Sequence, residues 1–311
     1  MKCFSKRIIK NLGLFIAVAL VLECFGMTCN IAKAAIIIPQ TKFLFDADYY
    51  ANENPDIAAK LGKNYDALLN HYLNSGKWEG RLPYAGAMPY QPVEDIDDGI
   101  YKALFIGNSI TVHPLCKYWW GSWGMAASSP EMDYVHKTVN GLKANHELVY
   151  YDVVGFSTWE RDNVRSKILP NLDTTLAKDY DLVVIQVGEN IKNTRTFEKD
   201  YETLVQYVQR SVPTAKVILV GDFWKMSRRD TIKTQVAEKL GCDYVDLSSV
   251  RSKSSYIAKM GNKVYGDDGR YHRINDAAVA MHPNDLTMEY IATGILDCIN
   301  KENIEIVVDE Y

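Results

Sequence analysis

The stretch ALFIGNSITVHP, residues 103–114, opens with four apolar residues and breaks at Gly107-Asn108-Ser109. An apolar run this short, closed by glycine, reads as a strand buried on both faces. A polar serine therefore stands at the point where a buried strand runs out, and the reading of the chain depends on what surrounds it.

Downstream, the same signature recurs. Val- and Ile-rich runs at 101–107 (YKALFIG), 148–155 (LVYYDVVG), 181–188 (DLVVIQVG), 215–223 (AKVILVGDF) and 242–249 (CDYVDLSS) are strand candidates. Amphipathic segments such as DYVHKTVNGLKANH, FEKDYETLVQYVQRSV and RRDTIKTQVAEKLG separate them, and NDLTMEYIATGILDCINK ends the series. Strand–helix alternation implies a mostly parallel sheet covered on both faces, because parallel neighbours need long crossover connections. The pattern predicts a three-layer α/β/α sandwich with a five-stranded sheet over residues 100–303, followed by a tail at 304–311.

Upstream, the order is different. A basic start (MKCFSKRIIK), an apolar run (NLGLFIAVALVLECFGM) and Ala32-Lys33-Ala34 have the layout of a secretory signal over residues 1–34, with a retained N-terminal anchor as the alternative. Secretion, or attachment at the cell surface, is the expected localisation. Residues 45–84 carry aromatic and leucine positions at helical spacing between Asn-Pro, Leu-Gly and Ser-Gly breaks, which predicts a small helical module. It resembles a short module, ending in Gly-x-x-Glu-Gly-Arg, of secreted and surface bacterial proteins. Its Tyr49, Tyr50, Tyr72 and Trp78 are read either as the core of a tiny domain or as a glycan or cell-wall contact. Residues 85–99, with Pro89, Pro92 and several acids, read as a linker.

The full chain carries 35 basic and 39 acidic residues, a formal charge of −4. Without residues 1–34, which hold five of the bases and one acid, it is −8. No long basic run remains, so the chain lacks the electrostatic footprint of a nucleic-acid binder. Outside the signal the cysteines are Cys116, Cys242 and Cys298, too few and too far apart for a disulfide framework. No Cys-x-x-Cys or His-x-x-x-His spacing calls for a metal, and no cofactor is expected.

In open parallel sheets the ligand crevice lies beyond the carboxyl ends of the strands. Ser109 follows the first strand there, Gly155 closes the second and Gly188-Glu189-Asn190 closes the third, while His282 lies far downstream in AMHPNDLTMEY. Each has a structural reading of its own: Ser109 as a helix cap, Gly155 as a turn former, Asn190 as a loop stabiliser, His282 as a turn residue beside Pro283.

Together and in this order, FIGNSIT, VVGFSTW, IQVGEN and MHPNDLTMEYIA resemble the four blocks of the SGNH hydrolases, the GDSL-like esterases, whose sheet is flavodoxin-like. The resemblance spans about residues 100–300. It implies Ser109 as nucleophile and His282 as its base. It also implies an oxyanion hole from the Ser109 N–H, the Gly155 N–H and the Asn190 amide. Residue 111 is Thr, which separates the motif from the G-x-S-x-G nucleophile elbow.

Two positions depart from the family pattern: Asn108 replaces a frequent Asp before the serine, and Val279 stands where an Asp often precedes the histidine. Asp285 and Asp276 are the candidate orienters of His282, with a backbone carbonyl as the alternative; Asp285 is equally suited to capping a helix. Glu189 and Trp159 are candidate substrate contacts, each with a structural alternative: an ion pair for Glu189 and core packing for Trp159. Trp119, Trp120 and Trp123 are weighed in the same way. His113, His136 and His272 read as ordinary polar residues.

The resemblance implies a serine esterase that removes short acyl groups, O-acetyl first, from an acylated small molecule or polysaccharide. Two alternatives share the fold: an acyltransferase onto glycans, and a surface-binding protein without catalysis. With an unperturbed histidine as base, activity is expected to fall as pH drops through about 6.5.

Overall fold

Alternation along the central strands divides the interior in two. The computed structural model describes residues 33–37, 45–91, 98–251 and 253–308. Among them β1 (Lys33–Ile37), β2 (Ile100–Gly107), β3 (Leu148–Gly155), β4 (Leu182–Gln186), β5 (Lys216–Val220) and β6 (Asp243–Val245) form one parallel sheet, ordered β1-β3-β2-β4-β5-β6. Leu104, Ile106, Val183, Ile185, Val217 and Leu219 enter one apolar cluster. Their neighbours Ala103, Phe105, Leu182, Val184, Ile218 and Val220 enter the other. This is the period of two expected of strands buried on both faces.

Helices complete the layers. α6 (Phe197–Ser211) and α7 (Ser227–Leu240) supply Phe197, Tyr201, Leu204, Val208, Ile232 and Val236 to the first cluster. α4 (Tyr134–Leu142) and α8 (Asp285–Val308) supply Tyr134, Val135, Val139, Met288, Ile291 and Ile295 to the second. Each fully buried Leu, Ile or Val contributes about 1.5–3 kcal/mol. The last helix continues through Val308, so the residues read as a tail from 304 begin as helix.

The five expected strands are present, and β1 is a sixth, pairing in parallel with β3 from Lys33↔Tyr151 to Ile37↔Gly155. Lys33 and Ala34, read from the sequence as the end of the signal, lie in it. The signal reading for residues 1–32 and part of the linker, residues 92–97, lie outside the described residues. No helix among the described residues is long and apolar enough to cross a membrane.

In the segment expected to form a small module, α1 (Ala47–Glu53), α2 (Pro55–Leu61) and α3 (Tyr65–His71) fold against one another. Asp46 and Asn64 cap α1 and α3 by accepting from the N–H groups of Tyr49 and Ala67, both at 2.9 Å. Tyr50, Leu68, Leu69 and Tyr72 are buried in the cluster that also holds Leu104 and Val183, so the apolar core of these helices is continuous with that of the sheet. The buried Lys77 ammonium fastens the junction, 2.9 Å from both Asp173 Oδ1 and Tyr207 Oη and 3.9 Å from the centre of the Tyr90 ring.

From β2 the chain moves to β3 on one side and then crosses to β4 on the other. The β2–β4 boundary is therefore the topological switch point, where a crevice opens at the carboxyl edge. Ser109 follows β2 and Asn190 follows β4.

Candidate active site

Gly107 ends β2 because nothing larger fits. A Cβ there would lie 1.8 Å from Thr111 Oγ1 and 2.8 Å from the Gln186 carbonyl oxygen. The chain then turns at once: the Asn108 carbonyl accepts from Thr111 N (3.0 Å) and Val112 N (2.9 Å), while Asn108 Oδ1 accepts from Ile110 N (3.0 Å). Ser109 rides on this turn. Its carbonyl accepts from Met125 N (2.7 Å), and its own N–H meets no acceptor among the described residues.

The Ser109 hydroxyl lies 2.9 Å from His282 Nε2, across 173 positions of sequence. His282 stands between a 3-10 turn, Val279–Met281, and the start of α8. Its Nδ1 is 2.8 Å from the Ala278 carbonyl oxygen. A carbonyl only accepts, so Nδ1 carries the hydrogen and Nε2 presents its lone pair to the serine. Asp276 builds the turn, its Oδ1 accepting from Ala278 N at 2.8 Å and Val279 N at 3.3 Å. The Trp224 ring packs edge-on against the imidazole, centroids 4.9 Å apart, and its Nε1 donates to Met281 O at 3.0 Å.

Burial pushes the His282 pKa down to about 4; its bond to the Ala278 carbonyl opposes this shift, and the nearby His113 adds to it. The acid limb expected from sequence near 6.5 therefore moves. A base with a lowered pKa stays neutral, and competent, at every pH above that value. With His282 as the base that the family resemblance implies, hydrolysis of a short ester is expected to hold level from about pH 5 to 8 and to fall only toward pH 4; a profile of kcat/KM against pH with its midpoint near 6.5 would contradict this.

Three sequence expectations need correction. Asp285 does not orient His282: its carboxylate accepts from Ser128 N (2.8 Å) and Ser128 Oγ (2.7 Å), and the Ala278 carbonyl takes the orienting place. Trp159 is fully buried and stacks on Phe156 at 6.2 Å, so it is core and not a substrate platform. Glu189 turns inward to accept from Phe223 N (2.6 Å) and pair with Arg229 (3.4 Å), and desolvation raises its pKa. Two buried acids, Glu189 and Asp222, face Arg229 and Lys233, also buried, and this set braces the Gly188–Asn190 turn from behind. Trp119 and Trp123 are buried, while Trp120 stacks on His272 at 4.5 Å.

Glu160, on α5 (Ser157–Arg161), was not singled out in the sequence. It is 1 % exposed. Its Oε1 accepts from Asn108 Nδ2 (3.0 Å), Gly188 N (2.5 Å) and Asn190 N (3.3 Å), and its Oε2 accepts from Asn190 Nδ2 (2.6 Å). One carboxylate thus ties the residue before Ser109 to the turn that carries Asn190. An Asp at 108 would set two carboxylates face to face, which gives the Asn there a physical reason. One amide hydrogen of Asn190 serves Glu160, and the second is left for another acceptor. The acid in TWERD, five residues past Gly155, was the available signal.

Asn108, Ser109, His113, Gly155, Thr158 and Arg161 are among the residues lining a cavity of about 180 Å³. Arg161 also lines a groove of about 530 Å³ with Asn163, Asn190, Lys192 and Asn193. Another cavity, of about 510 Å³ beside β6 and α8, holds neither Ser109 nor His282. No group of acids, histidines and cysteines suited to a metal ion occurs among the described residues.

No family model matches the chain, and no curated protein matches it. Among solved structures it is similar to a two-domain esterase active on acetylated mannans, at 20 % identity and a TM-score of 0.44, over 65 % of this chain and 49 % of that one. It is also similar to a family two carbohydrate esterase from Clostridium thermocellum (16 % identity, TM-score 0.39, 69 % and 66 % covered). A third is TesA (16 % identity, TM-score 0.42, 64 % and 98 % covered). The chain spans about half the length of the mannan esterase.

Proposed function

We propose that this protein is a serine esterase that removes short acyl groups, acetyl foremost, from carbohydrate, and that it acts outside the cell. The observation that carries the reading is the 2.9 Å contact between Ser109 Oγ and a His282 Nε2 whose lone pair is free to take the proton.

In this mechanism Ser109 Oγ attacks the acyl carbon and passes its proton to His282 Nε2. The carbonyl oxygen becomes an anion, received by the Ser109 N–H and the free hydrogen of Asn190 Nδ2, while the Gly155 N–H lies on the β3 edge that pairs with β1. Collapse breaks the bond to the alcohol oxygen, which leaves with the proton from His282. Water then attacks the acyl-serine, gives a proton to His282, and the acid departs as Ser109 regains its hydrogen. The Ala278 carbonyl holds Nδ1–H throughout, so the imidazolium forms against a neutral acceptor and not a carboxylate.

A cavity of about 180 Å³ beside Ser109 is small against the roughly 300–1,000 Å³ of pockets for drug-sized ligands, which supports a short acyl group. The groove next to it, where Asn163 and Asn193 stand beside charged residues, supports a hydroxyl-rich alcohol. The serine–histidine contact and the satisfied turns around it speak against a binding protein that has lost its chemistry. Secretion rests on the character of residues 1–34.

Nitrophenyl acetate, butyrate and decanoate, together with an O-acetylated oligosaccharide assayed for acetate release, test the reading. The acetate ester is expected to exceed the decanoate at least tenfold in kcat/KM, with acetate freed from the sugar. Preference for decanoate, or no turnover of any ester, would overturn it.

A further inference from the structure

The charges around Ser109 carry a substrate distinction beyond acyl length. Arg161 is exposed and lines both the cavity beside Ser109 and the groove beside Asn190, and its guanidinium has no hydrogen bond or ion pair with any described residue. The carboxylates around it are engaged. Glu160 is held by Asn108, Gly188 and Asn190, and Glu189 by Phe223 N and Arg229. Asp162 accepts from Val164 N at 2.7 Å, and Asp200 pairs with Arg165 at 2.6 Å.

The other exposed charge on the groove is Lys192, likewise without a partner among the described residues. Arg161 is felt across the small cavity, where its charge adds to burial in lowering the His113 pKa. On a chain of net charge −4, the solvent-facing charges at this groove are thus both positive. A free guanidinium offers a planar fork of donors that matches a carboxylate, and Asn163 and Asn193 alongside offer amides to sugar hydroxyls.

Resting on the esterase reading, we infer that the alcohol portion of the substrate is an acidic glycan, with Arg161 receiving a uronate carboxylate while the ester sits at Ser109. Lys192 adds a second cation along the groove. The acyl chemistry is unchanged; the charge decides which sugar is presented.

The test compares O-acetylated oligogalacturonate with O-acetylated mannooligosaccharide of equal length. Wild-type protein is expected to favour the acidic substrate at least tenfold in kcat/KM, through KM, with the advantage shrinking as salt rises. Arg161→Gln is expected to cut the acidic-to-neutral ratio about 10- to 100-fold, the range of a charge-assisted hydrogen bond. Lys60→Gln, an exposed charge on α2 that lines neither cavity, controls for net charge and should leave the ratio in place. Equal use of both sugars by the wild type, or a ratio untouched in Arg161→Gln, overturns the inference.

Calorimetric binding of both oligosaccharides to Ser109→Ala keeps the two questions apart, since it needs no turnover. If no ester is hydrolysed but the acidic sugar binds through Arg161, the esterase reading fails and the subsite stands. If esters are hydrolysed and binding shows no charge preference, the subsite fails alone.

Discussion

Replacing Ser109 with alanine is expected to lower kcat/KM for nitrophenyl acetate by at least about 10³-fold, because removal of a triad nucleophile in serine hydrolases costs on that order or more. The loss should come without unfolding. The Ser109 side chain makes one hydrogen bond among the described residues, to His282, whereas the turn is held by backbone bonds from Met125, Thr111 and Val112 and by the Asn108 side chain. A single partly buried hydrogen bond contributes about 0.5–1.5 kcal/mol, so the melting temperature should move by a few degrees at most. Thermal unfolding by circular dichroism, run beside the assay, separates the two effects. Retention of more than a tenth of the activity in a folded Ser109→Ala protein would remove Ser109 from the mechanism.

The second large effect is expected at Glu160, a positioning residue that touches no reacting atom. Its two oxygens accept four N–H groups. Gln offers a single oxygen, so Glu160→Gln turns an amide toward one of those donors. If the oxygen keeps the place near Asn108 and Gly188, the new NH₂ faces Asn190 Nδ2 and drives that side chain away. Loss of one oxyanion donor costs about 10²- to 10³-fold in turnover, and kcat should fall by that factor with KM little changed. A double-mutant cycle distinguishes positioning from mere support. If Glu160 acts through Asn190, Glu160→Gln added to Asn190→Ala costs far less than it does alone. Full additivity, or a rise in KM at constant kcat, would place Glu160 outside the oxyanion machinery.

Why some of this was readable from sequence follows from the range of the forces involved. Strands buried on both faces write their burial into consecutive residues, so Ala103–Ile106 and Leu182–Ile185 announced a parallel sheet. The carboxyl-edge rule then placed Ser109, Gly155 and Asn190 together, since strand ends are local features. His282 needed the family resemblance, because nothing local ties it to a serine 173 positions away.

What was misread depended on direction and not on residue type. Asp285 and Ala278 are nearly equidistant in sequence from His282, and only the path of the 3-10 turn decides that the carbonyl at 278 faces the imidazole while the carboxylate at 285 reaches Ser128. Trp159 and Glu160 are adjacent on one short helix. The aromatic, a candidate substrate contact with core packing as its alternative, is core, and the acid beside it carries the network. The lowered pKa of His282 comes from enclosure by Trp224 and its neighbours, a property of packing that residue identities do not carry.

The most direct test of the Ser109–His282 pair is covalent capture. A fluorophosphonate transfers its phosphonyl group to a serine oxygen, with fluoride leaving and the proton taken by a base, so labelling reports nucleophile and base in one reaction. Intact and peptide-level mass spectrometry at pH 7 is expected to find one adduct per chain on Ser109, slowed by at least about 10²-fold in His282→Ala and still fast at pH 5.5, where an unperturbed histidine would be mostly protonated. No adduct, an adduct on another residue, or labelling of Ser109 at equal rate without His282 would contradict the account.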